Sequence, residues 1–134
     1  SPPVRRFQIL VSLMLSSQTK DEVTAAAIGR LQAAHAGGLT PQAIADFEEA
    51  ELAEVLKPVG FYRQKAKHLI QTARLILSEH GGDLPGDLGG LVALPGVGPK
   101  MAHLCMRAAW GICTGIGVDT HVHRLANRLR WVRN

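Results

Sequence analysis

Leu94-Pro95-Gly96-Val97-Gly98-Pro99-Lys100 is the stretch on which the reading of this chain turns. It sets two glycines, one residue apart, between two segments with helical periodicity. Glycine tolerates backbone conformations that other residues resist, and it leaves neighbouring amides uncovered. The N–H groups of Gly96, Gly98 and Lys100 can therefore converge on one anion at the start of a helix, where the helix dipole also favours negative charge. A DNA phosphate fits such a cradle; so, from the loop alone, does an ordinary glycine turn with no guest. Gly96, Val97 and Gly98 are the candidate contacts.

Lys100 stands just inside that helix start, where the positive end of the dipole disfavours an ammonium. Neutralising a lysine of pKa near 10.4 at physiological pH costs about 4 kcal/mol. The dipole supplies roughly 0.3 to 1 kcal/mol of this, so burial beside a bound base would have to supply most of the rest before the amine became a nucleophile. Taken alone, a lysine here reads more readily as a phosphate contact.

Outward from the hairpin the chain reads as helices. Pro2-Pro3 predicts an extended start, and Val4, Phe7, Leu10, Val11 and Met14 predict a first helix ending near Ser16. Ser17 or Thr19 is the expected cap of a second helix with a stripe of Val23, Ala26, Ala27, Leu31 and Ala34, up to Gly37-Gly38. Thr40-Pro41 pairs a cap with a proline at the first helical position and predicts a short helix through Phe47. Another covers Glu49 to Lys57, stopped by Pro58. Tyr62, Ala66, Leu69, Ile70, Ala73 and Leu77 give the most regular stripe, closing at Gly81-Gly82. Leu84 to Leu94 predicts a turn and a short helix, and Pro99 to Trp110 the helix after the glycine loop. Gly111 to Gly117 is irregular, and Thr120 is a plausible cap for a last helix.

Composition agrees with an all-α fold. Hydrophobic residues make up 46% of the 134 and aromatics only 4%, so the core must come from Leu, Val, Ile and Ala, which suits packed helices. A domain of this size buries roughly two thirds of its unfolded surface. Fifteen Lys and Arg against eleven Asp and Glu give +4 and a pI near 9.5, a bias that suits a polyanionic partner. Arg124, Arg128, Arg130 and Arg133 gather at the end, while Asp46, Glu48, Glu49, Glu51 and Glu54 concentrate negative charge elsewhere, so a basic and an acidic face are expected. The longest apolar run, Ile9 to Leu15, is far short of the ~20 residues that cross a bilayer. Two cysteines, Cys105 and Cys113, give neither a secreted disulfide scaffold nor a four-thiolate cluster, and an intracellular, reduced protein is expected. Cys105 falls where inert helical packing is wanted. His103, His121 and His123 lack the accompanying cysteines or carboxylates of a zinc site, so no metal is expected. With no initiator Met and no signal peptide, the chain reads as a piece of a longer protein.

Taken together, Leu94 to Lys100, Met101-Ala102-His103 and Val118-Asp119-Thr120-His121-Val122-His123-Arg124 resemble the helix-hairpin-helix and aspartate signature of endonuclease III, especially of its eukaryotic homologues. Met14 to Asp21 and Pro58-Val59-Gly60-Phe61-Tyr62 are similar too, in the same order. The resemblance implies a helix-hairpin-helix DNA glycosylase fold. Residues 1–117 would form a helical barrel domain, with the hairpin at about 84–110, and 118–134 would begin a truncated second domain carrying the catalytic aspartate. It also implies a bifunctional glycosylase and abasic-site lyase excising oxidised pyrimidines from double-stranded DNA. Lys100 would attack C1′ of an extruded nucleotide to give a Schiff base, with β-elimination following, and Asp119 would move protons or stabilise charge on the sugar.

Extrusion leaves a vacancy in the duplex. Gln18 and Phe61 match the family positions that fill it and wedge the opposite strand. His121 would contact DNA or orient Asp119, and Arg124, one turn from Arg128, would meet phosphates. Family members carry a [4Fe-4S] cluster on cysteines further along the chain; those ligands are absent here, so no cofactor is expected within this chain. An intracellular monomer is expected, in the nucleus and also the mitochondrion if the source is a eukaryote, with marginal stability for this part in isolation. Two other readings fit in part: a non-catalytic helix-hairpin-helix module that only grips phosphate, and a purine-lesion glycosylase of the same superfamily. Lys100 and Asp119 weigh against the first, and the Val118 to His121 pattern, with the hairpin lysine, against the second.

Overall fold

The computed structural model describes residues 2–111. The expected domain boundary and Asp119, His121 and Arg124 lie outside the described residues. Among those described there are seven helices and no strand: α1 (Pro2–Ser16), α2 (Asp21–Ala34), α3 (Pro41–Ala45), α4 (Glu49–Leu56), α5 (Tyr62–Glu79), α6 (Leu88–Val92) and α7 (Pro99–Trp110). None is long and apolar enough to cross a membrane.

α1 is the hub. Phe7, Leu10, Val11, Leu13, Met14 and Leu15 are all buried, because its second half is surrounded by α2, α5 and α7 rather than packed on one face. α5 carries the second half of the core through Ala66, Leu69, Ile70, Ala73 and Ile76, with α3 and α4 laid against it. The hairpin helices α6 and α7 pack on each other, and α7, with Ala102, Leu104, Cys105 and Met106 buried, also packs on α1. Arg6 fastens that arrangement at one end. Its Nη2 and Nε donate to Asp83 Oδ2 and Oδ1 at 2.6 and 2.9 Å, while its guanidinium lies 4.0 Å over the Trp110 ring.

The structure alters several local expectations. α1 begins at Pro2 instead of following an extended Pro-Pro start, since a helix's first residues need no N–H donor and proline's φ is already helical. Neither Ser17 nor Thr19 caps α2. Lys20 holds that position with no side-chain cap, and Thr19 is turned to a different task. The buried stripe of α2 is Thr24, Ala27, Ile28 and Leu31, with Ala26 and Ala34 exposed. Thr40 caps α3 as expected, its Oγ1 accepting from Ala43 N at 3.1 Å, but α3 ends at Ala45.

Candidate nucleic-acid interface

The hairpin is built by short-range bonds and three apolar anchors. Asp87 caps α6, accepting from Gly90 N at 2.6 Å. Leu94 N donates to Leu91 O and Val97 N to Leu94 O, and the Leu91, Leu94 and Val97 side chains are buried. Val97 is thus the anchor of the loop: its side chain faces the core and its N–H serves the turn. Gly96 adopts a left-handed φ of 81°, which glycine takes without strain. Gly98 does not need that freedom. At φ −90°, ψ 174° it is the extended N-cap of α7, and a Cβ built on it would meet nothing within 4 Å. Pro99 opens α7, and Lys100, its second residue, is exposed. The first-turn amides have no intrahelical acceptor, so the N–H groups at this helix start, those of Gly98 and Lys100 among them, have no partner within α7.

The hairpin is held from below by α5. Thr72 Oγ1 donates to Pro95 O at 3.0 Å, and a Cβ on Gly96 would lie 2.9 Å from His68 Nδ1. Gly96 is therefore demanded twice, by its backbone angle and by the imidazole against it.

At the N-terminus of the same helix lies a second protruding feature. Gln18 and Phe61 are the two non-glycine residues with positive φ among those described, at 52° and 56°. Both side chains are exposed, Phe61 to 60%. A large apolar ring so exposed runs against burial, and a left-handed bulky residue is uncommon; their coincidence marks positions shaped for something other than packing.

The two corners are tied together. Gly60 N donates to Thr19 Oγ1 at 2.9 Å, and Gly60 passes so close to the Gln18 carbonyl that a Cβ would sit 2.7 Å from it. Lys65, buried one turn into α5, sends its ammonium into the α1–α2 loop, donating to Leu15 O at 2.9 Å, to Ser17 O, and to Thr19 Oγ1 at 3.3 Å. Burial lowers its pKa from 10.5 to about 8. On the other side Arg30 donates to Val55 O and Lys57 O at 2.8 and 2.6 Å, steadying the connection that leads to Phe61. The Lys57–Pro58 bond in it is cis.

Sequence reasoning singled out the hairpin, Lys100, Gln18 and Phe61, which the structure places at the exposed helix start and the two corners, but not the supporting Gly60, Lys65, His68 and Thr72. A signal for two of these was present, since Lys65 and Thr72 are polar residues at apolar-face positions of α5, flanking Leu69 by four and three residues. Cys105 is fully buried, and burial pushes its thiol up to about 12, which fits its expected packing role.

A family model described as HhH-GPD superfamily base excision DNA repair protein matches residues 11–134. The chain belongs to this superfamily. Endonuclease III-like protein 1 of Bos taurus is 56% identical over 133 residues, which is 99% of this chain and 43% of that protein. Endonuclease III-like protein 1 of Gallus gallus is 54% identical over 132 residues, 98% of this chain and 46% of that protein. The chain therefore spans less than half the length of these relatives. Among solved structures, a non-covalent endonuclease III–DNA complex superimposes with a TM-score of 0.76 at 32% identity, covering 94% of this chain and 58% of that one. A trapped endonuclease III–DNA covalent intermediate gives the same TM-score and identity over 94% of this chain and 59% of that one.

The hairpin, the two corners and Lys100 are thus set on one HhH-GPD fold. Its residues do not fit a [4Fe-4S] cluster. Four thiolates are required and the sequence has two cysteines, of which Cys105 is buried in the core. Among the described residues no three His, Cys, Asp or Glu side chains group as metal ligands.

Proposed function

We propose that this chain carries the DNA-engaging face of a bifunctional DNA glycosylase and abasic-site lyase that removes oxidised pyrimidines from duplex DNA. The observation that carries the reading is the position of Lys100: exposed, second residue of α7, at the mouth of a hairpin whose Gly98 nothing among the described residues encloses. The likeness to a trapped covalent endonuclease III–DNA intermediate supports an amine that bonds to sugar.

Phosphate held at the Gly98 and Lys100 amides would bring the sugar to the lysine. Lys100 faces solvent, and bound DNA would bury it beside the sugar. The neutral Nζ attacks C1′; the C1′–N bond breaks and the base leaves with its electron pair, taking a proton. Loss of the amine proton and opening of the sugar ring give an imine. The protonated imine acidifies C2′–H. Removal of that proton expels the 3′ phosphate oxygen from C3′ and cuts the strand. Asp119 is assigned the proton transfers or the charge stabilisation at the sugar. Gln18 and Phe61 would enter the helix stack as the nucleotide leaves it. Residues 118–134 begin the second domain in this reading.

Borohydride trapping on a duplex with an abasic or oxidised-pyrimidine site is the test. The full-length protein should give a covalent adduct that Lys100→Ala abolishes. No adduct from the unmodified protein would reduce the chain to a module that only holds DNA.

A further inference from the structure

The mechanism above leaves one buried cation without a task. Lys65 is 8% exposed, lies on the core face of α5, and directs all three of its observed bonds at one short segment, Leu15 to Thr19. That segment turns at Gln18, the exposed left-handed corner. Lys65 itself sits four residues after Phe61, the other such corner, and Lys65 N takes Phe61 O as its acceptor at 2.9 Å in the first turn of α5. One residue thus joins both corners, through its side chain to the Gln18 loop and through its backbone to Phe61. Thr19 completes the connection, because its Oγ1 accepts from both Lys65 Nζ and Gly60 N.

We propose that Lys65 is a positioning residue for nucleotide extrusion, locking the Gln18 and Phe61 corners into one rigid two-pronged wedge. This rests on the functional reading above and assigns Lys65 the geometry of the wedge, not the chemistry. The physical case is one of preorganisation. Left-handed backbone at Gln and Phe is held at a cost, and loop carbonyls turned inward need a donor. An ammonium with three donors satisfies three acceptors from different directions; a planar guanidinium does not. Without it the corners would relax independently, and ordering them would fall on the same step that must already unstack a base. That step costs a few kcal/mol for a stacked base and least where no base remains to be unstacked. A loosened wedge therefore slows work on an intact lesion more than work on an abasic site.

The test uses the full-length protein and two duplexes, one with thymine glycol and one with a preformed abasic site, under single-turnover conditions. Lys65→Met is expected to slow base release from thymine glycol by ~10-fold or more while strand cutting at the abasic site changes by less than about 3-fold, as expected if only the extrusion step is harder. Lys65→Arg should recover only part of the difference. A merely structural lysine would lower both rates by the same factor, following the folded fraction read by circular dichroism, and that result or an unchanged Lys65→Met overturns the proposal. If Lys65→Met does not fold, Thr19→Val removes the shared acceptor with less disturbance. It should show the same split at ~3-fold, and equal slowing on both duplexes overturns the proposal just as firmly. Inactivity of the unmodified protein on both duplexes would instead sink the glycosylase reading itself.

Discussion

Gly96 rests on the imidazole of His68, so closely that a Cβ at residue 96 would lie 2.9 Å from Nδ1 and 3.0 Å from the His68 Cβ. The hairpin is thus seated on α5 by a contact that excludes every side chain, at a residue whose φ of 81° also excludes them. Gly96→Ala should destabilise the protein by ~1–3 kcal/mol, from left-handed strain and the displaced imidazole. Urea unfolding reads this directly as a lowered midpoint; an unchanged midpoint would mean that the loop shifts freely on α5.

Gly98, two residues on, makes the opposite prediction. Its extended backbone suits any residue and its Cβ position is open. Gly98→Ala should leave the urea midpoint within about 0.5 kcal/mol of the parent, as surface substitutions away from special geometry do. A methyl there would nevertheless stand between a phosphate and the helix-start amides. Affinity for duplex DNA, measured by fluorescence anisotropy at fixed salt, should fall ~10-fold, as expected when close backbone approach to an anion is blocked. Parental affinity in this variant would move the phosphate away from the hairpin.

The contrast between these glycines shows what was legible in the sequence. Spacing alone marked both as a loop at a helix start, and the chain did place Pro99–Trp110 as the helix that follows. Which glycine the fold demands and which it leaves open depends on His68, twenty-eight residues earlier, and such pairings across the core leave no trace in local periodicity. Phe61 shows the same limit. Its type predicts burial, and only its motif suggested DNA; the exposed, left-handed corner stands beside Gly60, whose close approach to the Gln18 carbonyl is a tertiary contact that local sequence does not show. Thr19 looked like a helix cap because its residue type suits one, but the tertiary bond to Gly60 N took its oxygen instead. Lys65 was hidden for a related reason, since stripes are read from apolar residues and a buried ammonium breaks the pattern it belongs to.

The Arg6–Asp83 pair gives the fold an acid-sensitive fastening. The Arg6 hydrogen bonds hold the Asp83 carboxyl below its usual 3.8, and Asp83 raises Arg6 in turn. A depressed carboxylate stabilises the native state at pH values above the unfolded-state pKa and loses that contribution as pH falls through the folded one. Asp83→Asn should therefore be less stable than the parent at pH 7, by ~0.5–1 kcal/mol for a partly exposed pair. The gap between the two should narrow as pH drops below 3.8. Denaturant midpoints of both proteins at pH 7 and pH 2.5 check the sign, and a gap that persists undiminished in acid would show that the pair contributes nothing through its charge.

Lys65 titrates with the opposite consequence. Its pKa in the folded protein is about 8, lowered by burial from the 10.5 of an open lysine, so between those values the unfolded chain binds the extra proton. Stability must then rise with pH across that window, because deprotonation removes a desolvation penalty that the native state bears and the unfolded state does not. Below pH 8 both states are protonated and the penalty is at its full size; above 10.5 both are neutral and it is gone. Other lysines titrate there too, so the quantity to measure is the difference between the parent and Lys65→Met. Relative to the variant, the parent should gain stability from pH 7.5 to pH 10, read as an upward shift of the parent's urea midpoint relative to that of Lys65→Met. A separation that stays constant would show that the three loop acceptors favour the ammonium strongly enough to cancel the effect of burial, leaving Lys65 charged throughout that range.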